Sequence, residues 1–373
     1  MSARESAGAS AGLGALAGPR GGRRWPVAIL GATGAVGQTF IRLLADHPWF
    51  VIAEVAASER SAGKSYRDAT QWLEGTMPPS VAELVVKPCS PDEVLSPIVF
   101  SALDSAAAGA VEPAFARAGR VVLSNAKNHR MDFDVPLVVP DVNADHLAII
   151  AGQRAARGWT GALVTNANCA ATVAAMALAP IHRAFGLTRV FVTTMQAISG
   201  AGYPGVPSLD ILGNVIPFIA DEEPKIEAEL PKILGVVGPS GASITHATFG
   251  VSAQANRVPV EHGHTACLSI ECERQPTPEQ ADAALRGWTG PEGVRGLPSA
   301  PEQPIVVADA PDRPQARRDV HAGRGMSVTV GRVRTDPLLH LRLVVLGHNT
   351  VVGAAGASIL NAEWLASHGM LGA

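Results

Sequence analysis

Long apolar runs are missing from this chain: none approaches the roughly 20 residues that a membrane-crossing helix needs. A surplus of positive charge is missing too. Lys and Arg number 30 against 33 Asp and Glu, for a net charge of -3, which gives no electrostatic basis for holding nucleic acid or an anionic membrane. Cysteine is scarce, with only Cys89, Cys169, Cys267 and Cys272. None are spaced as C-x-x-C, so no metal site is expected. Cys267 and Cys272 share one apolar stretch at an odd separation, which points them to opposite faces of a strand and argues against a bridge. A reducing, cytoplasmic setting fits this usage. Hydrophobic residues at 47% with 17% charged describe a globular protein, and 373 residues suit two domains. Residues 1–24 are rich in Ala, Gly, Ser and Arg, with Glu5 the only acid. Transit peptides share that bias, but the arginines follow no amphipathic repeat, so a flexible extension is expected.

From Arg24 onward, apolar strands alternate with helical stretches. Residues 26–30, 51–57, 84–86, 98–103, 121–124 and 137–139 are short, nearly continuous apolar runs, and 35–45 and 106–118 read as helices. That pattern belongs to parallel strands covered on both faces, so 25–168 is expected to be an α/β, Rossmann-type doubly wound domain. After Cys169 the character changes. Residues 170–183 and 222–234 read as helices; 188–198, 245–253, 264–273, 304–308, 327–333 and 341–346 read as strands. Long neighbouring strands with few helices predict an α+β domain over 169–349 with a mostly antiparallel sheet. The small-residue helical pattern at 353–367 is expected to return to the first domain, so that 350–373 completes it.

Three segments carry chemistry. Gly31-Ala32-Thr33-Gly34-Ala35-Val36-Gly37 joins the first strand to the first helix, where glycines let the backbone turn tightly against a pyrophosphate held at the helix N-terminus. The second strand ends in Ala rather than in an acid suited to a ribose 2′-hydroxyl, and Ser58, Arg60 and Ser61 follow. These favour a 2′-phosphate and hence NADP, with Glu59 in the same loop the one residue suited to a free hydroxyl. In Thr165-Asn166-Ala167-Asn168-Cys169-Ala170-Ala171, Cys169 falls where a strand becomes a helix. Unpaired N–H groups and the helix dipole there are expected to ease ionisation of a reactive thiol. Arg257-Val258-Pro259-Val260 precedes Gly263-His264, offering a guanidinium fork for a carboxylate and an acid/base imidazole.

With these motifs in this order, the chain resembles aspartate-semialdehyde dehydrogenase in its archaeal and fungal branch. Ser124-Asn125-Ala126-Lys127-Asn128-His129-Arg130, Gln196-Ala197-Ile198-Ser199-Gly200-Ala201-Gly202, Glu222-Glu223-Pro224-Lys225 and Gly347-His348-Asn349-Thr350 also carry the likeness. The resemblance implies Cys169 as nucleophile, His264 as acid/base and Gln196 as the group that orients the acyl substrate. It implies Arg257 for the substrate carboxylate, Glu222 for its ammonium, Arg130 and Lys225 for phosphate, and Asn168 beside them. Ser199, Gly200, Gly202 and Asn349 would line the nicotinamide. The implied reaction is NADPH-dependent reductive dephosphorylation of L-4-aspartyl phosphate to L-aspartate 4-semialdehyde, serving lysine, threonine, methionine and diaminopimelate synthesis. A homodimer or homotetramer built on the second sheet is implied as well. Residues 235–245 and 290–316 depart from the family pattern. Related acyl reductases acting on malonyl-CoA or N-acetylglutamyl phosphate, and a non-catalytic NADP sensor, are the alternatives. Glu222 favours a substrate with a free amino group, and Cys169 would be idle in a sensor.

Overall fold

Parallel pairing organises the first half of the chain. The computed structural model describes residues 24–371, so the extension expected over 1–24 lies outside the described residues apart from Arg24. Strands β1 (Trp25–Leu30), β2 (Phe50–Ala57), β3 (Lys87–Pro88), β4 (Ile98–Ser101), β5 (Val121–Ser124), β6 (Leu137–Val138) and β7 (Ala162–Asn166) form one sheet. Its order is β3-β2-β1-β4-β5-β7-β6, with every pairing parallel. Every residue of β4, β5, β6 and β7 is buried, as near-continuous apolar strands require when both faces are covered. The order reverses at β1, which has β2 on one side and β4 on the other. Beyond the carboxyl ends of these two strands lies the crevice where such sheets take ligands. The third strand is shifted from its expected place at 84–86. Val85 instead bridges Ser65, and Val86 exchanges backbone hydrogen bonds with Gly63 and Lys64, so this run is spent on the turn after β2.

The second sheet is mixed. Strand β8 (Leu187–Gln196) is followed by a small separate ribbon of β9 (Val236–Val237) and β10 (Ile244–Thr245), which lies in the divergent 235–245 segment. Strands β11 (Gly250–Arg257), β12 (His264–Cys272), β13 (Ile305–Ala308), β14 (Val328–Thr335) and β15 (Leu341–Gly347) join β8 in the order β11-β8-β12-β15-β14-β13. The middle pairings are antiparallel, as expected, whereas the outermost two, β11 with β8 and β13 with β14, are parallel. The strand expected over 245–253 is broken, because Ala247 turns its N–H to the Pro231 carbonyl at the end of a neighbouring helix. Cys267 is exposed and Cys272 buried, on opposite faces as their spacing predicts.

Helix Cys169–Phe185 packs its small residues against β12, β14 and β15, so the inner face of this sheet is covered while Phe191 on the outer face is 50% exposed. Val351–Ala355 makes one π-helical turn against helices Cys169–Phe185 and Ala35–Leu44, and helix Gly356–Ser367 packs on β4 and β5.

Candidate active site

The site forms where three strand ends meet one helix start. Arg257 and Gln196 are paired neighbours at the ends of the parallel strands β11 and β8, and His264 opens the antiparallel β12 beside them. Strand direction alone therefore gathers an amide, a guanidinium and an imidazole along one edge of the sheet. Cys169 is the first residue of helix Cys169–Phe185 and faces that edge, with its Sγ 3.1 Å from His264 Nε2. The Asn168 side chain caps the helix, accepting from the N–H groups of Ala170 and Ala171 at 2.9 and 3.0 Å.

One expectation needs correction here. The helix start does not leave Cys169 as a free thiolate, although the residue keeps some access to solvent. Burial first, and then the Glu222 carboxylate, push its thiol up to about 12, against the opposing pull of Arg130 and Arg257. The Ala170 N–H, which Asn168 also engages, still favours the anion, but it is outweighed by burial. The imidazole is held neutral: burial, with Arg257 and His348 adding repulsion, pushes His264 down to about 3. Its Nδ1 accepts the Ala197 N–H at 3.1 Å, which assigns the ring proton to Nε2 and aims it at the sulfur.

The remaining side chains surround this pair. Arg257 is buried and donates Nη1 to the Ala197 carbonyl at 2.7 Å. Gln196 is buried beside Thr194, whose Oγ1 accepts from Nε2 at 3.3 Å. Glu222 accepts from Asn168 Nδ2 at 2.8 Å and pairs with Lys225 at 3.4 Å. Arg130 pairs with Glu229 at 2.9 Å and donates Nη2 to the Asn125 carbonyl at 2.8 Å. The loop from Ser199 to Gly202 lies directly against the catalytic edge. A Cβ on Gly200 would sit 3.0 Å from both Arg257 Nη1 and His264 Cε1. Asn349 Nδ2 donates to Ser199 Oγ at 2.8 Å, and its Oδ1 accepts the Gly263 N–H at 2.9 Å, tying three segments together.

The glycine turn fits a dinucleotide phosphate. Gly31 has a φ of 70°, and a Cβ there would lie 2.5 Å from the Ala102 carbonyl oxygen; on Gly37 it would lie 2.3 Å from the Gly31 oxygen. Gly34 meets only the Gly31 oxygen, at 3.4 Å, which leaves that side of the turn open. No side chain caps helix Ala35–Leu44 and no acid sits in its first turn, so the N–H groups of Ala35 and Val36 remain for an anion. Ser58 and Arg60 are exposed beyond β2, with Ser61 partly buried in the following turn. The acid within β2, Glu54, is committed to Lys87 and Ser96 and faces away from that task.

Comparison with known proteins then decides the family. Residues 26–150 match the model described as semialdehyde dehydrogenase, NAD binding domain, and residues 178–352 the one described as semialdehyde dehydrogenase, dimerisation domain. The aspartate-semialdehyde dehydrogenase of Archaeoglobus fulgidus is 51% identical over 341 residues, 91% of this chain and 97% of its own length. The chain belongs to the aspartate-semialdehyde dehydrogenase family. The Schizosaccharomyces pombe member is 49% identical over 92% of this chain and 99% of its own. The Candida albicans aspartate-semialdehyde dehydrogenase, solved with NADP, superposes with a TM-score of 0.87 at 42% identity, covering 93% of this chain and all of that one.

In this aspartate-semialdehyde dehydrogenase fold, Cys169 contacts His264 while Asn168, Glu222 and Lys225 form a contacting chain beside them, and four residues not named from the sequence support the glycine turn and Arg130. Gln38 Nε2 and Tyr66 Oη hold the glycine turn from behind, through the carbonyls of Thr33 and Ala32. Glu229 and Lys232 stand behind Arg130. Glu229 had a visible signal: Glu222, Ile226, Glu229 and Ile233 recur at helical spacing, which puts a carboxylate on a buried stripe. Among the described residues no group of three or more His, Cys, Asp and Glu side chains could hold a metal ion, and no helix is long and apolar enough to cross a membrane.

The neutral buried histidines predict acid lability. His264 and His348 are both pushed to about 3 from 6.5, each by burial first. Below pH 6.5 the unfolded chain takes up protons that the folded rings refuse, so stability present above 6.5 is lost as pH falls towards 3. Melting temperature measured from pH 7.5 to 4.5 should therefore fall, and His348→Gln should flatten part of that decline.

Proposed function

We propose that this chain catalyses the NADPH-dependent reductive dephosphorylation of L-4-aspartyl phosphate to L-aspartate 4-semialdehyde through a thioester on Cys169. The observation that carries the reading is the 3.1 Å approach of Cys169 Sγ to a proton-bearing His264 Nε2 at a cationic strand edge. Arg257 takes the substrate carboxylate and Glu222 its ammonium, while Arg130 and Lys225 take the phosphate. Gln196 orients the acyl oxygen. Cys169 sulfur attacks the acyl carbon, and the thiol proton leaves with the phosphate as the C–O bond breaks. Placing the thiol proton on the leaving group suits a site whose imidazole is not poised as a base.

The glycine turn, Ser58, Arg60 and Ser61 would hold NADP, with Ser199, Gly200, Gly202 and Asn349 around its nicotinamide; the Candida albicans relative was solved with that cofactor. Bound there, the reduced cofactor supplies a hydride. His264 Nε2–H then supports the negative charge that develops on oxygen and on the departing sulfur, which takes up a proton from solvent to restore the thiol. The same reading gives residues 25–168 with 350–373 the dinucleotide and residues 169–349 the chemistry. The exposed outer face of the second sheet carries the contact between copies, as a homodimer or homotetramer in the cytoplasm. The pathways served are those to lysine, threonine, methionine and diaminopimelate.

Incubation with L-aspartate 4-semialdehyde and NADP+ should give reduced cofactor only when phosphate is present. No turnover there, alongside turnover of malonyl-CoA or N-acetylglutamyl phosphate with NADPH, would overturn the proposal.

A further inference from the structure

Behind Cys169 a single carboxylate holds two parts of the site at once. Glu229 is 2% exposed and lies seven residues after Glu222 on the same face of helix Glu222–Ile233. Its Oε1 accepts from Arg130 Nη1 at 2.9 Å, and its Oε2 accepts the backbone N–H of Asn168 at 2.5 Å. Arg130 is 7% exposed, and the Asn125 carbonyl takes its Nη2. The guanidinium is thereby fixed at both terminal nitrogens. Its Nε is buried and has no partner among the described residues, so the two terminal nitrogens carry all of the observed contacts that hold it. Lys232, one turn further along the helix, donates to the carbonyls of Arg130, Asp132 and Val135 at 2.7, 2.7 and 2.9 Å, so the main chain beneath Arg130 is held as well.

We infer that Glu229 is a positioning residue, whose two oxygens keep Arg130 in register with the backbone beside Cys169 so that the guanidinium is held ready for the phosphate. The inference rests on the reading of Arg130 as a phosphate ligand. A carboxylate is required because both partners are donors and it accepts at each oxygen; an amide accepts at only one. In Glu229→Gln, the amide oxygen stays on the fixed Asn168 N–H, its NH2 faces the guanidinium, and the longer, freer Arg130 is released. Glu229→Asp keeps both acceptors on a side chain one methylene shorter.

Steady-state kinetics in the phosphate-dependent, NADP+-reducing direction test this. Glu229→Gln should raise the KM for phosphate by about tenfold, with kcat within about threefold and the KM for the semialdehyde little changed. Glu229→Asp should recover most of the loss. An unchanged KM for phosphate in Glu229→Gln, or kcat and both KM values worsening together, overturns the inference. Should Glu229→Gln lose its cooperative melting transition, Glu229→Asp carries the test, and any KM increase must again be confined to phosphate. If wild-type protein shows no phosphate-dependent turnover, the reading of the reaction fails instead, which is a separate result.

Discussion

Replacing Cys169 by Ala is expected to lower kcat by at least about 10⁴-fold while fold and NADP binding survive. The sulfur lies 3.1 Å from His264 Nε2, and without it the acyl group has no carrier to which a hydride can be delivered. If Cys169 served packing alone, removing one sulfur atom from a partly open position would cost about 1 kcal/mol and leave turnover largely intact. Melting temperature, NADP affinity and kcat, measured on the same preparation, separate the two cases. Cys169→Ser should behave like Ala in turnover, because the alcohol is a weaker nucleophile and a far poorer leaving group. Residual turnover above a few per cent of wild type would remove Cys169 from the mechanism.

His264→Asn is expected to reduce kcat by between about 10² and 10⁴-fold. Asn lacks the reach that brings Nε2 within 3.1 Å of the sulfur, and it leaves the Ala197 N–H without its ring acceptor. The loss should appear in kcat far more than in the KM for the semialdehyde, because Arg257 and Glu222 stay in place. The pH profile offers a second check. A ring held neutral down to about 3 predicts no His264 limb in kcat between pH 5.5 and 8. A limb in that range that vanished in His264→Asn would show that the ring titrates during turnover.

Much of this arrangement was legible in the residues. The glycine turn needs small residues at fixed offsets, and a nucleophile at a strand-to-helix corner leaves a local pattern, so both stood out. The strand carrying Gln196 and the strand opening at His264 were visible as long neighbouring strand stretches with few helices between them. What was not legible depends on partners far away in the chain. Glu229 meets Arg130 across 99 residues, so nothing local to its helix named it as part of the site. The protonation of Cys169 depends on Glu222 and on burial, neither of which a local helix-dipole argument contains. The shifted third strand shows the same effect at the backbone level. Its apolar run satisfied the strand pattern, but its hydrogen bonds went to Gly63 and Lys64.

The return of the chain's end has a consequence for biogenesis. Asn166, three residues before Cys169, donates Nδ2 to the Ala354 carbonyl and Ser358 Oγ at 2.7 Å each, and accepts from Asn361 at 3.1 Å. Gly353 comes so close to Cys169 that a Cβ there would lie 2.9 Å from the Cys169 Cβ. The parallel strands precede in sequence the segment that braces the nucleophile, so Asn166 and Cys169 gain their support only once residues 353–361 have docked. Loss of residues 350–367 would leave the nucleophile unbraced and uncover the apolar residues of β4 and β5 that this segment covers.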